Sequence, residues 1–174
     1  MKKTNLIISC LSMGIVVASA NILVQYPIND FLTWGAITFP ITFMITDVIN
    51  RYFGVYFARK VVLAGFITGA LFSLNLAPIR IAFASVMAFL FSQLMDIKIF
   101  DNFRDGVWFK APLISTLASG LVDTSLFFFI AFYGTDVPWH TLIVGDTAVK
   151  YSINLILFPI YGMIVMKYKT KYVG

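Results

Sequence analysis

The chain is most informative in what it lacks. It has no glutamate, one cysteine (Cys10) and one histidine (His140), and only 12% of its 174 residues are charged. A single cysteine excludes an intrachain disulfide, and so few sulfur and imidazole ligands disfavour a metal site. The phosphate-binding pattern G-x-x-x-x-G-K-[ST] is also missing, which excludes ATP hydrolysis by that route. We therefore expect no metal and no cofactor.

The residues that are present indicate a membrane protein. Hydrophobic residues make up 60% of the chain and the mean hydropathy is +0.89, whereas a soluble domain of this size exposes far more charge. An apolar helix needs about 20 residues to cross the hydrocarbon core. The sequence predicts an all-α integral membrane protein, residues 1–174 forming one domain, with six transmembrane helices at about 5–25, 31–50, 56–75, 79–97, 112–133 and 141–166.

The distribution of lysine and arginine predicts the orientation. Cytoplasmic segments carry the excess of basic residues, and on one side of the predicted bundle lie Lys2, Lys3, Arg51, Arg59, Lys60, Lys98, Arg104, Lys110, Lys167, Lys169 and Lys171. The opposite side has only Arg80. Both termini are therefore expected in the cytoplasm, in the cell's inner (plasma) membrane. The same pattern explains the basic pI of 9.4 without a nucleic-acid partner.

The first apolar segment has two interpretations. Lys2-Lys3, an apolar run and Ala18-Ser19-Ala20 resemble a secretory signal with a cleavage site. The apolar run continues past this site without a polar stretch, so we favour an uncleaved first helix. Cleavage would leave five spans in the same orientation.

The acidic residues fall at distinct depths in the predicted helices. Asp123 and Lys150 lie near the membrane midplane, and a charge at that depth must face protein, water or a ligand. Asp47 and Asp96 lie nearer the cytoplasmic ends, where they either snorkel and pair with nearby arginines and lysines or serve function. Asp96 and Asp123 both end the pattern Ser-x-Leu-x-Asp, beginning at Ser92 and at Ser119.

The sixth helix carries a polar stripe. Asp146, Lys150 and Asn154 follow one another at intervals of four residues, hence on one helix face. Asp146 and Lys150 either neutralise each other or line a cavity, and Lys150 is also the first choice of partner for Asp123. Asn21 and Gln93 are buried amides suited to the edge of a heterocycle, although such amides also join helices. Arg80 is expected to be a gating or structural charge near the outer surface.

Short motifs along the chain resemble the queuosine precursor transporters in their proteobacterial form. They are Phe39-Pro40 through Thr46-Asp47, Asn50-Arg51-Tyr52-Phe53-Gly54 with Ala58-Arg59-Lys60, Arg80-Ile81-Ala82 with Ala84-Ser85, Gln93-Leu94 with Asp96 and Phe100-Asp101, Asp123-Thr124 with Phe127-Phe128, and Gly145-Asp146 with Val149-Lys150 and Pro159. Asn154 departs from the small apolar residue that the family would have there.

This resemblance implies inward transport of a 7-deazaguanine, such as the 7-cyano or 7-aminomethyl compound or queuine, for salvage into tRNA. Asp123 would accept the ring N–H and exocyclic amine of the base, while Gln93 and Asn21 would bind its remaining edge. Lys150, Asp96, Asp146 and Asn154 complete the expected substrate-binding set. Protonation of Asp123 would make transport proton-coupled.

Other function classes remain open from the sequence. A substrate-binding subunit of an energy-coupling-factor vitamin importer has a similar size and six helices, but needs separate coupling and ATPase subunits. The midplane charges Asp123 and Lys150 disfavour a purely structural membrane protein, and the absence of a nucleophile or metal cluster disfavours an enzyme. Six short helices enclose little volume, so a homodimer is also compatible with the sequence.

Overall fold

The computed structural model describes residues 1–23, 26–29 and 32–169, and within them the chain is helical apart from one short hairpin. The elements are α1 (Lys3–Leu23), β1 (Pro27–Asn29), β2 (Leu32–Thr33), α2 (Trp34–Thr38), α3 (Pro40–Phe53), α4 (Val55–Leu76), α5 (Ile79–Phe103), α6 (Lys110–Phe132) and α7 (Trp139–Lys169). The two strands pair antiparallel.

Five helices of the described residues, α1, α4, α5, α6 and α7, are long and apolar enough to cross a membrane. Their outward faces carry large exposed apolar side chains, among them Ile15, Leu71, Phe83 and Leu155. Lipid tails solvate such faces, so the expected helical membrane protein is confirmed. The α5 helix extends six residues beyond the predicted end at 97, through a segment expected to be a turn.

The segment predicted as a single second span is divided. Residue 31 lies outside the described residues, Leu32 and Thr33 form strand β2 rather than a helix, and α2 and α3 are separated at Phe39. Pro40 has no N–H to donate to the carbonyl four residues earlier, which weakens the helix at that point. Phe39 keeps helical dihedral angles, φ −58° and ψ −41°, so the separation is a proline kink. With 14 residues, α3 alone is about 21 Å long and shorter than the hydrocarbon core.

Antiparallel α5 and α6 form the central pair of the bundle, with α1 packed on α4, α4 on α5, and α7 against α6 and α3. An apolar cluster fills the space among α1, α3, α4 and α5 and includes Met13, Val61 and Phe89. Gly65 permits this close approach, because a Cβ atom there would lie 2.7 Å from Cγ of Met13.

The interior between α3, α5, α6 and α7 is polar instead. Buried polar side chains in this region are Thr42, Thr46, Asp47, Asn50, Ser92, Gln93, Asp96, Ser115, Thr116, Ser119, Asp123, Thr124 and Lys150. Buried polar groups need partners. The arrangement of these residues therefore decides which of them serve packing and which are available to a ligand.

Candidate functional site

The two Ser-x-Leu-x-Asp motifs bind each other. Ser92 of α5 donates a hydrogen bond of 3.0 Å to Asp123 of α6, and Ser119 of α6 donates one of 3.0 Å to Asp96 of α5. Because the helices run antiparallel, the serine of each motif lies level with the aspartate of the other. The sequence placed each serine on the face of its own aspartate but did not predict this exchange of partners.

Lys150 is the centre of a buried charge cluster made by α6 and α7. Its ammonium group lies 2.9 Å from Oδ2 of Asp123, 2.7 Å from Oδ2 of Asp146 and 3.0 Å from Oγ1 of Thr124. An ammonium has three N–H donors, and all three are used here. The structure thus contains both pairings of Lys150 that the sequence left open. The ring of Phe39, at the proline kink, lies 5.1 Å away and covers the cation.

Asp47 and Asp96 are not interfacial, which corrects the snorkelling interpretation. Their exposed fractions are 2% and 0%. Neither forms an ion pair with any residue in the described ranges. Hydroxyl groups replace the expected cations: Asp47 lies 3.4 Å from Oγ of Ser115 and 3.3 Å from Oγ1 of Thr116.

The arginines expected to pair with these aspartates are used elsewhere. Arg51 donates to the phenol oxygen of Tyr161 at 2.6 Å and to the backbone carbonyl of Trp108 at 3.0 Å. Arg104 donates to the side chain of Asn50 and pairs with Asp101. These contacts join the end of α3 to α7 and to the α5–α6 connection.

The remaining predicted residues join helices. Gln93 donates to Thr42 at 2.9 Å and accepts from Thr46 at 2.6 Å, which ties α5 to α3. The Asn21 amide accepts a hydrogen bond from Ser73, which joins α1 to α4, and donates one to the carbonyl of Val17 within α1. Arg80 of α5 donates to the carbonyl oxygens of Ile130 and Tyr133 at the end of α6, which joins these two helices.

A cavity of about 210 Å³ lies between α3, α6 and α7. Its polar lining comes from Asp47, Thr116, Asn154, Tyr151 and Tyr161, and the rest is apolar or aromatic: Met44, Pro112, Leu113, Leu117, Leu155, Leu157 and Phe158. Asn154 makes no side-chain hydrogen bond to the part of the chain that the structure describes. Its amide is therefore available to a ligand.

The structure brings some of the predicted site residues together. Asp123, Lys150 and Asp146 form one cluster, and Asp47 and Asp96 form a second. Of the predicted residues, only Asp47 and Asn154 line the cavity. Asn21, Gln93 and Arg80 belong to neither cluster. Within the described ranges, no three His, Cys, Asp or Glu side chains form a metal-binding group.

Sequence reasoning missed the hydroxyl-bearing face of α6. Ser115, Ser119 and Asp123 recur every four residues, and Thr116 and Thr124 lie on the same side. All five side chains are buried and contact charged groups. Hydroxyl groups at this spacing in an apolar helix are the signal that identifies the face, and of the four hydroxyl groups the sequence-based prediction includes only Ser119.

Comparisons with known proteins identify the family. A family model described as "Putative vitamin uptake transporter" matches residues 33–78 and 69–164. The chain belongs to this vitamin uptake transporter family. It is 34% identical to the "Queuosine precursor transporter" of Escherichia coli (strain K12), over 87% of this chain and 82% of that protein.

Two further relatives carry related names. The chain is 32% identical to the "Probable queuosine precursor transporter" of Haemophilus influenzae, over 86% of this chain and 82% of that protein. It is 26% identical to the protein of that name from Bacillus subtilis, over 84% and 79%. No solved structure matches the chain significantly.

Membership in the vitamin uptake transporter family agrees with the five apolar helices, so the protein is a multi-pass protein of the inner membrane. The region matched by the family model extends from β2 to α7 and contains every buried charge described above. Asn21 lies before it.

Proposed function

We propose that the protein imports a queuosine precursor, a 7-deazaguanine, across the membrane. The observation that carries this proposal is the similarity, over more than four fifths of both chains, to two proteins named as transporters of that precursor. The cavity between α3, α6 and α7 is the proposed substrate site.

The chemistry of the cavity suits a flat purine-like base. Asp47 supplies carboxylate oxygens that can accept the ring N–H and the exocyclic amine of a guanine-type edge together. Thr116 and Asn154 supply donors and acceptors for the rest of the edge, and Tyr151 and Phe158 supply aromatic surface for stacking.

The size of the cavity disfavours larger vitamins. Sites for drug-sized ligands measure about 300–1,000 Å³, whereas this cavity measures about 210 Å³. A single bicyclic base fits that volume better than a flavin or a corrinoid.

Asp123 has a different role in this proposal from the one its sequence position suggested. Asp123 does not line the cavity, and its charge is already compensated by Lys150 at 2.9 Å, whereas Asp47 lines the cavity and has no cation among the described residues. We assign Asp123, Lys150 and Asp146 to holding α6 and α7 together beside the site, and Asp47 to the base.

The membrane arrangement is proposed from the charge distribution. The kinked α2–α3 pair completes six spans with the five long helices, the first helix stays uncleaved, and both termini face the cytoplasm. Arg51 and Tyr161 then lie on the cytoplasmic side of the cavity, where their hydrogen bond joins α3 to α7. This contact would have to break for substrate release.

Uptake into proteoliposomes tests the proposal. The purified protein alone, without ATP, should take up radiolabelled 7-aminomethyl-7-deazaguanine, and unlabelled 7-deazaguanines should compete. Absence of uptake, or uptake of thiamine or riboflavin instead, would refute it. A requirement for added ATPase subunits would favour the energy-coupling-factor alternative.

Asn154→Leu tests the site itself. A lost hydrogen bond in a buried site weakens binding by about 1–3 kcal/mol, or roughly 5- to 140-fold in apparent affinity. The matched control is Ser152→Leu, two residues away on the exposed face of α7. Equal affinity of the two variants would place the base outside this cavity.

A further inference from the structure

Asp47 of α3 and Asp96 of α5 contact two hydroxyl groups one turn apart on α6, Ser115 at 3.4 Å and Ser119 at 3.0 Å, so their carboxyl groups are neighbours in the interior. Both are at least 98% buried. Oδ1 of Asp96 accepts from Ser119, but Oδ2 is buried without a hydrogen-bond partner in the described part of the chain. A buried carboxyl oxygen without a partner, beside a second buried carboxyl group, requires an explanation.

No cation explains it. On α3, the nearest cation to Asp47 along the helix is Arg51, which is bound to Tyr161 and to backbone carbonyls. On α7, Tyr161 is the titratable group that faces Asp47, and Lys150 is committed to Asp123 and Asp146.

The other helices packed around the pair bring no charge of opposite sign. On α6, the groups in contact are the hydroxyls of Ser115, Thr116 and Ser119, and the only acid on that face, Asp123, is paired. On α5 and α4, the basic residues are exposed at the surface: Arg80 and Lys98 on α5, and Arg59 and Lys60 on α4.

Two ionised carboxylates in contact without a cation repel each other strongly in a buried site. One proton resolves this repulsion by turning the contact into an O–H···O⁻ hydrogen bond, which also gives the unpaired oxygen of Asp96 a partner. We propose that Asp47 and Asp96 together bind one exchangeable proton and that this pair is the proton-coupling site of transport.

Access to the pair is one-sided. Asp47 lines the cavity, whereas Asp96 lies behind it and is fully buried. A proton entering from the cavity changes the charge of the pair from −2 to −1. With that proton on Asp96, the carboxylate of Asp47 is free of repulsion and can accept two hydrogen bonds from a base.

Proton and substrate therefore bind cooperatively, which makes the transporter a symporter. This step rests on the proposed function. In this proposal the Asp47–Asp96 pair, and not Asp123, couples transport to protons, because the charge of the Asp123 carboxylate is already compensated by Lys150 at 2.9 Å.

Proteoliposomes with an imposed pH gradient test the proposal. With acid outside, wild-type protein should accumulate 7-aminomethyl-7-deazaguanine, and an internal pH-sensitive dye should report proton entry with it. Asp96→Asn resembles the protonated state, so it should retain substrate exchange at equal pH but lose gradient-driven accumulation at least tenfold. Asp47→Asn should lose both activities, because it also removes the acceptor for the base.

The matched control is Asp105→Asn, an acid-to-amide change at an exposed position after α5, which should retain both activities. If wild-type uptake does not depend on the pH gradient, or depends on a sodium gradient instead, the proposed coupling site is wrong while the proposed function still holds. Absence of any deazaguanine uptake by wild type would refute the proposed function itself.

Difference infrared spectroscopy tests the proton site without transport. Wild type should show the C=O stretch of a buried protonated carboxyl group that titrates with external pH, and Asp96→Asn should remove it. If the C=O band is absent from wild type, or is still present in Asp96→Asn, the proposal is wrong. This conclusion does not depend on whether the variant transports substrate.

Discussion

Removal of the Lys150 ammonium is the most direct test of how the buried charges hold the bundle together. Lys150→Met keeps most of the side-chain volume but leaves Asp123 and Asp146 facing each other without a cation. The ammonium makes two contacts of 2.9 and 2.7 Å to these carboxylates and is 7% exposed as a residue, so solvent screens it little.

Breaking a buried ion pair by removing one partner destabilises a protein by about 3–5 kcal/mol. For a chain of 150–250 residues, 1 kcal/mol corresponds to roughly 2–4 °C in melting temperature. We therefore expect Lys150→Met to lower the melting temperature in detergent by roughly 6–20 °C, measured by fluorescence-detected size-exclusion chromatography after heating.

Two comparisons make the measurement specific. Lys98→Met removes an exposed lysine of α5, and surface substitutions change stability by less than about 0.5 kcal/mol. Adding Asp123→Asn to Lys150→Met removes one uncompensated charge and should recover a large part of the loss. If Lys150→Met and Lys98→Met have the same melting temperature, the argument from charge compensation is wrong. It is also wrong if adding Asp123→Asn does not raise the melting temperature of Lys150→Met.

Three further predictions concern packing and hydrogen bonding. Gly65→Ala should lower the free energy of unfolding by about 1–3 kcal/mol, since its Cβ would lie 2.7 Å from Met13. Gly145→Ala meets nothing within 4 Å, so it should stabilise α7 by up to about 1 kcal/mol. Equal melting temperatures of the two variants would contradict this prediction. Ser92→Ala removes a hydrogen bond to buried Asp123 and should lower the free energy of unfolding by about 1–3 kcal/mol, measured as a lower melting temperature. An unchanged melting temperature would show that this hydrogen bond does not contribute to stability. Arg80→Gln should lower stability by no more than about 1 kcal/mol, because its hydrogen bonds to the end of α6 are exposed; a larger loss, or a change in uptake at unchanged stability, would point to the gating role.

The sequence predicted the helices well where apolar length alone decides them. Long apolar runs identified α1, α4, α5, α6 and α7, because a helix is the structure that satisfies every backbone hydrogen bond of an isolated segment in lipid. The second span was predicted less well. A proline kink and a preceding hairpin depend on local backbone hydrogen bonds that hydropathy does not record.

The candidate site was predicted in part. Depth along the helices correctly paired Asp123 with Lys150, because two charges at equal depth in an apolar bundle have few other partners. Depth did not decide between the two interpretations of Asp47 and Asp96, since nearness to a helix end says nothing about whether a side chain faces lipid, water or protein. The sequence also did not decide whether the amides of Asn21 and Gln93 bind substrate or join helices, because an amide can form hydrogen bonds of either kind.

From the sequence alone, composition and the spacing of apolar runs determined that the protein lies in a membrane, and six motifs in order indicated its family. Composition, the spacing of apolar runs and the order of motifs depend only on the order of residues along the chain, so the sequence contains them in full. Only the tertiary structure decided which serine serves which aspartate, where the cavity lies, and that Asp47 and Asp96 meet without a cation. Those outcomes depend on the rotation and register of each helix against its neighbours, which the energy of the whole bundle sets.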